Sequence, residues 1–121
     1  MFLFVATAMR ILNLTPHSIS YDDGQRCKKI SSSGVVRLDQ ATKPSKPIDG
    51  FEVVTSEYAG VSGVPEDLCS GDVLIVSSVV ANHWPEAERP EGITLLVPDT
   101  GNSCKRDTNG KVTSVSRFII K

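Results

Sequence analysis

The pentapeptide Asn13 to His17 (NLTPH) places an imidazole beside two hydrogen-bonding side chains at the end of a short apolar run. A histidine in a pocket can act as a hydrogen-bond donor or as a general base near neutral pH. Asn13 and Thr15 can instead cap backbone groups where a strand turns. We therefore expect Asn13, Thr15 and His17 either to contact a ligand or to shape the turn at Pro16.

A second polar cluster, Pro98 to Gly110, follows an apolar run near the C-terminus. Its Asp99-Thr100-Gly101 triplet resembles the active-site turn of aspartic proteases, whose mechanism needs two carboxylates that share one proton. Pro98 directly before the aspartate argues against that enzyme, and so does the short remainder of the chain, residues 102–121. A Pro-Asp-x-Gly sequence is typical of a β-turn.

Arg106 and Asp107 lie in the same loop as the Asp-Thr-Gly turn. An arginine recognises phosphate or carboxylate groups through paired N–H donors, and a histidine can assist it. If the strands before the two polar clusters are neighbours, the clusters meet in one pocket. The residues that we expect to contact a small ligand there, with Arg106 and His17 suited to a phosphate-bearing one, are Asn13, Thr15, His17, Asp99, Thr100, Arg106 and Asp107.

Composition and spacing exclude several classes of protein. The chain has 121 residues and a formal net charge of -1, which argues against a dedicated nucleic-acid binder. No apolar run approaches the roughly 20 residues that a membrane span needs. The three cysteines and two histidines lack metal-ligand spacing, and there is no phosphate-binding glycine loop or G-x-S-x-G turn. We therefore expect no metal, no cofactor, and reduced thiols in a cytoplasmic protein.

The length and composition suit one soluble globular domain. Residues 1–8 (MFLFVATA) lack the basic start of a secretory signal, and Met9 opens a compact first strand. We expect residues 1–8 to be an N-terminal extension and residues 9–121 to be the domain.

Short β-branched runs and frequent turn residues predict an α+β, strand-rich fold. It would be a small mixed sheet or a partly open barrel with one or two short helices. Residues 10–38 are interpreted as a β-meander, residues 39–50 as a polar connector and residues 51–58 as a strand. The apolar runs 72–76 and 93–97 predict two buried strands, and a short helix capped at Ser77-Ser78 would join them in parallel as a βαβ unit.

Taken together, five segments make the chain resemble a family of small proteins encoded by phages, prophages and bacteria, most of them without an assigned function. They are NLTPH at 13–17, VSGVP at 61–65, LIVSSVVA at 74–81, VPDTGNSCKRDTNGKV at 97–112 and SVSRF at 114–118. The similarity spans about residues 10–118, nearly the whole chain. It implies a phage-type accessory protein in a bacterial host, supports a start at Met9, and assigns no reaction.

Three functions follow from these residues. The first is a non-enzymatic module that binds a small ligand or a host protein, because no complete catalytic set is present. The second is a structural or virion-associated oligomer, for example a homodimer formed through exposed strand edges. The third is a small hydrolase that uses His17 and Asp99, which requires the two side chains to approach each other or a shared water.

Overall fold

The computed structural model describes residues 9–121, so the expectation for residues 1–8 lies outside the described part of the chain. Residues 9–121 contain ten strands, one α-helix (α1, Ser78–His83) and a 3-10 turn (Glu86–Glu88). The strands are β1 (Ile11–Asn13), β2 (Ile19–Asp22), β3 (Cys27–Ile30), β4 (Arg37–Pro44), β5 (Val54–Ser62), β6 (Val73–Ile75), β7 (Thr94–Pro98), β8 (Lys105–Arg106), β9 (Val112–Ser114) and β10 (Phe118–Ile120). None of the helices in this described range has the length and apolar character that crossing a bilayer requires.

A four-stranded mixed sheet in the order β1-β6-β7-β10 forms the centre of the fold. Strands β1, β6 and β7 are parallel, and β10 runs antiparallel to β7. Strand β6 is buried on both faces, as its continuous apolar sequence predicts. The α+β, strand-rich prediction is therefore confirmed as a small mixed sheet, without closure of these strands into a barrel.

The βαβ prediction is also confirmed. Helix α1 connects β6 to the parallel strand β7, and the Ser77 hydroxyl accepts a hydrogen bond from the Val80 amide at 3.3 Å as its N-cap. One face of the sheet packs against this helix. The core there consists of Leu14, Val36, Leu74, Val76, Val80, Ala81, Trp84, Leu95 and Val97.

The other face of the sheet is partly covered by the β2–β3 hairpin. The ring of Tyr21 stacks on Phe118 of β10, with ring centroids 6.0 Å apart. The β2–β3 pairing itself follows the predicted Asp-Gly turn at residues 23–24. The β-meander over residues 10–38 is wrong, however, because β1 pairs with β6 instead of β2. The chain bends at residues 15–17 and leaves the sheet before β2 begins, while β1 forms the edge of the sheet beside the fully buried strand β6.

Strands β4 and β5 form a long hairpin, called the arm below. The polar connector predicted for residues 39–50 is wrong, since β4 continues to Pro44 and the chain reverses at Asp49-Gly50. Both turn residues have positive φ, 50° and 76°, as a two-residue hairpin turn requires. Beyond its base the arm is exposed on both faces, so it lacks the alternation of apolar residues by which strands are recognised.

Candidate functional site

Three loops converge on a cleft of about 420 Å³, called the carboxyl-edge cleft below. They follow the carboxyl ends of β1, β6 and β7, the three parallel strands. In open sheets with parallel strands, ligands bind in a crevice outside the carboxyl ends of the strands. The lining residues are Thr15, His17, Ser18, Ile19, Ser20, Ser77, Ser78, Val97, Pro98, Thr100, Val112, Thr113, Ser114 and Val115.

The two polar clusters singled out in the sequence do meet here, but not through direct pairing of their strands. Strand β6 lies between β1 and β7, so the expectation that those two strands are neighbours is wrong. The loops still reach one edge because all three strands point the same way. Thr15, His17 and Thr100 line the carboxyl-edge cleft, whereas Asn13, Asp99, Arg106 and Asp107 do not.

Asn13 is fully buried and holds the loop that carries His17. Its Nδ2 donates to the carbonyl oxygens of His17 and Ile30 at 2.9 and 3.0 Å. Its Oδ1 accepts from the Thr15 amide at 3.1 Å and lies 2.6 Å from the Thr15 hydroxyl. Both Nδ2 hydrogens and the Oδ1 oxygen of the amide are therefore engaged within the protein. Asn13 fixes the path of the loop, and Thr15 and His17 of the same loop line the cleft.

The exposed side chain of His17 lines the cleft. Only its backbone carbonyl takes part in the hydrogen bonds of residues 9–121, as an acceptor from Asn13 and Thr15. The imidazole is therefore held by its backbone while both ring nitrogens can contact a ligand.

Asp99 positions the loop after β7. Its carboxylate accepts from the Arg117 guanidinium at 2.5 Å and from the Gly101 amide at 3.0 Å. The hydrogen bond from Arg117, and then the one from Gly101, hold the pKa of Asp99 below its usual value. A carboxylate that is stabilised in its ionised form is a weak base, so Asp99 is poorly suited to accept a proton in a reaction. Its hydrogen bonds instead support the turn that presents Thr100.

Arg106 and Asp107 stabilise the same loop from within. The guanidinium of Arg106 donates to the carbonyl oxygens of Thr100 and Gly110, both at 2.7 Å. Asp107 accepts from the backbone amides of Asn109 and Lys111, both at 2.9 Å. These contacts close the loop beyond the cleft, and the Arg106 guanidinium faces backbone oxygens rather than the cleft.

Several hydroxyl-bearing residues that line the cleft are not among the site residues predicted from the sequence: Ser18, Ser20, Ser77, Ser78, Thr113 and Ser114. Ser77 and Ser78 directly follow the buried strand β6, and that position in a βαβ unit is a signal for a binding edge. The serines and threonine of β2 and β9 carry no such signal, because they reach the cleft only through the packing of two hairpins. Within residues 9–121, no group of three or more His, Cys, Asp or Glu side chains is arranged to hold a metal ion.

Acid is expected to destabilise the protein through three paired carboxylates. A hydrogen bond from Lys105 at 2.9 Å is the main cause that lowers the pKa of Asp22 from 3.8 to about 2. Arg10 and Arg117 lower the pKa values of Asp72 and Asp99 in the same way. As the pH falls, each of these carboxylates is protonated at a higher pH in the unfolded chain than in the folded protein. The stabilisation is therefore complete above the unfolded pKa of 3.8 and is lost as the pH falls toward 2.

Urea unfolding at a series of pH values tests this expectation. The midpoint should stay level down to about pH 5 and then fall steeply toward about pH 2. The variant Lys105→Gln should show a shallower fall, because it removes the main cause that lowers the pKa of Asp22. A midpoint that stays constant from about pH 6 to about pH 2 would contradict the assignment.

Comparison with known proteins adds no assignment to this site: no family model, no curated protein and no solved structure matches the chain.

Proposed function

We propose that the protein is a non-enzymatic module that binds a small ligand in the carboxyl-edge cleft. The observation that carries this proposal is the convergence of the loops after β1, β6 and β7 on a cleft of about 420 Å³. That volume lies within the range of ligand sites, roughly 300–1,000 Å³. The position at the carboxyl ends of parallel strands is where such folds bind their ligands.

The chemistry of the lining favours a neutral ligand with hydroxyl or amide groups and a ring or apolar face. Serine and threonine hydroxyls from all three loops can donate or accept, and Val97, Val112 and Val115 supply an apolar strip. Among the residues that the structure describes, no Asp, Glu, Lys or Arg lines the cleft. Among the described lining residues, His17 is the one that can carry a positive charge. We therefore expect the phosphate group of a nucleotide to contribute less binding energy here than its ring or sugar.

Binding is favoured over hydrolysis by the state of the two candidate catalytic side chains. Asp99 is engaged by Arg117 and Gly101 and is absent from the cleft lining. Within the described residues, no hydrogen bond joins the His17 ring to a hydroxyl or a carboxylate, whereas an activated nucleophile needs that contact. The Ser77 hydroxyl accepts from the amide of Val80 as a helix cap.

Thermal unfolding with a panel of nucleosides, their 5′-monophosphates and simple sugars tests the proposal. A ligand at about ten times its Kd adds about 1.4 kcal/mol, which raises the Tm by roughly 5 °C. A blocking variant, Ser18→Trp, should abolish the shift because Ser18 is exposed at the cleft. Its matched control, Ser45→Trp, changes an exposed serine of the arm and should keep the shift.

The outcomes separate the ligand classes. Equal Tm shifts with a nucleoside and its monophosphate support a neutral ligand. A Tm shift with the monophosphate alone shows that a phosphate-bearing ligand is required, and it contradicts the assignment of a neutral ligand. No shift with any member of the panel at millimolar concentration, or shifts that Ser18→Trp leaves intact, would overturn the proposal.

A further inference from the structure

A second cavity, of about 460 Å³, is lined by residues that are all different from those of the carboxyl-edge cleft. It is called the basic cavity below. Its floor is the face of the central sheet that does not contact helix α1, and its other wall is the β2–β3 hairpin. The lining residues are Ile11, Tyr21, Arg26, Lys28, Lys29, Ile30, Ser31, Ile75, Leu96 and Phe118.

The floor of the basic cavity is apolar and is drawn from all four strands of the sheet. Ile11, Ile75, Leu96 and Phe118 belong to β1, β6, β7 and β10 respectively. Ile75 and Leu96 are paired across β6 and β7, so their side chains share this face. Ile11 is 46% exposed, which leaves part of this surface accessible to an apolar ligand.

The opposite wall is basic. Tyr21 pairs with Lys28 across the hairpin, so the Lys28 side chain points to the same side as the Tyr21 ring, which stacks on Phe118 of the sheet. The Arg26 guanidinium lies 5.8 Å from the centroid of that ring. Over residues 9–121, the lining therefore contains three cationic residues and no acidic one, in a chain whose net charge is -1.

Among the described residues, these three cations also form no salt bridge. Within residues 9–121, the salt bridges involve Arg10, Lys43, Lys105 and Arg117, but none of the three basic residues of this cavity. Residues 1–8 contain no Asp or Glu side chain. An apolar floor facing unpaired positive charge is complementary to a ligand with an apolar body and one anionic group.

We propose that the basic cavity is a second binding site, for small amphiphilic anions such as an aromatic or aliphatic carboxylate or sulfonate. The apolar body lies on Ile11, Leu96 and Phe118, and the anionic group is bound by Arg26 and Lys28. This site is independent of the carboxyl-edge cleft, since the two linings share no residue.

Two fluorescent probes test the proposal because they share one aromatic body and differ only by a sulfonate group. 8-Anilinonaphthalene-1-sulfonate carries one sulfonate, and N-phenyl-1-naphthylamine is its neutral counterpart. We expect saturable binding of the sulfonate, weaker binding of the neutral probe, and a sulfonate affinity that falls as salt increases. The double variant Arg26→Gln/Lys28→Gln should raise the Kd of the sulfonate roughly tenfold and leave that of the neutral probe unchanged.

Three further variants locate the binding. Lys46→Gln removes an exposed lysine of the arm and should leave both probes unaffected. Ser31→Trp fills the basic cavity from an exposed position and should abolish binding of both. Ser18→Trp blocks only the carboxyl-edge cleft and should change neither, so this site and the proposed function can fail separately. Retention of the parental Tm shows that each variant is folded.

Competition identifies the ligand body. Displacement of the sulfonate probe by 1-naphthoate supports an aromatic body, and displacement by octanoate supports an aliphatic one. Displacement by neither would overturn the proposal. So would equal binding of the charged and neutral probes, or a sulfonate Kd that the double variant leaves unchanged.

Discussion

Replacing Asn13 by leucine is expected to lower the free energy of unfolding by about 3 kcal/mol. Leucine has a similar size, but it cannot donate to the carbonyl oxygens of His17 and Ile30 or accept from the amide of Thr15. These groups surround a fully buried side chain, so the loss of its amide leaves them without those partners. Each unsatisfied buried group costs roughly 1–3 kcal/mol, and the added apolar contacts offset part of the total.

Urea unfolding of matched variants measures the effect. Asn102→Leu is the control, because Asn102 is exposed, and its effect should stay within about 0.5 kcal/mol. Asn13→Asp should be destabilised at neutral pH, since a carboxylate oxygen would then face the two carbonyls. It should recover part of its stability as the pH falls, because a protonated carboxyl group can donate to one of them. An Asn13→Leu variant as stable as the Asn102 control would contradict the role given to Asn13.

Replacing Gly63 by alanine is expected to destabilise the protein by about 3 kcal/mol. Gly63 follows the end of β5 with a φ of 84°, a conformation that alanine adopts only with strain. A Cβ atom there would lie 2.0 Å from the backbone oxygen of Val35. That oxygen precedes the buried Val36, so it cannot move without disturbing the core.

Gly60 provides the matched control for this substitution. It lies in β5 with a φ of 109°, but no atom lies within 4 Å of the position that its Cβ would take. Gly60→Ala should therefore carry only the backbone strain, roughly 1 kcal/mol. Thermal or urea unfolding of both variants separates the two costs. Equal losses of stability would show that the contact with Val35 relaxes freely and would refute the prediction.

The parts of the fold that could be predicted are those with a local signal. The apolar runs 72–76 and 93–97 identify buried strands, and Ser77 identifies the start of the helix between them. The partner of β1 could not be predicted, because its pairing with β6 joins residues about 60 positions apart. The arm could be predicted only in part: the strand predicted at residues 51–58 overlaps β5, whereas β4 was interpreted as a connector because its exposed residues are mostly polar on both faces. Asp49-Gly50 is nevertheless a hairpin turn signal.

The candidate site could be predicted in position but less well in detail. The sequence placed NLTPH and the Asp-Thr-Gly turn after strands, and both loops line or support one cleft. It did not separate residues that face the cleft from residues that hold the loops. That distinction depends on tertiary contacts, such as the Arg117 guanidinium on Asp99 and the Ile30 carbonyl on Asn13. The contacts of these residues with a ligand stay a prediction.

The most direct test of the central claim is an amide NMR titration of the protein with the nucleoside or sugar that gives the largest thermal shift. We expect the largest changes at residues 17–20, 77–78, 100 and 112–115, which line the carboxyl-edge cleft. They should saturate together and disappear in Ser18→Trp. Changes centred on residues 26–31 and 96, or on the arm, would contradict the assignment of the cleft as the binding site.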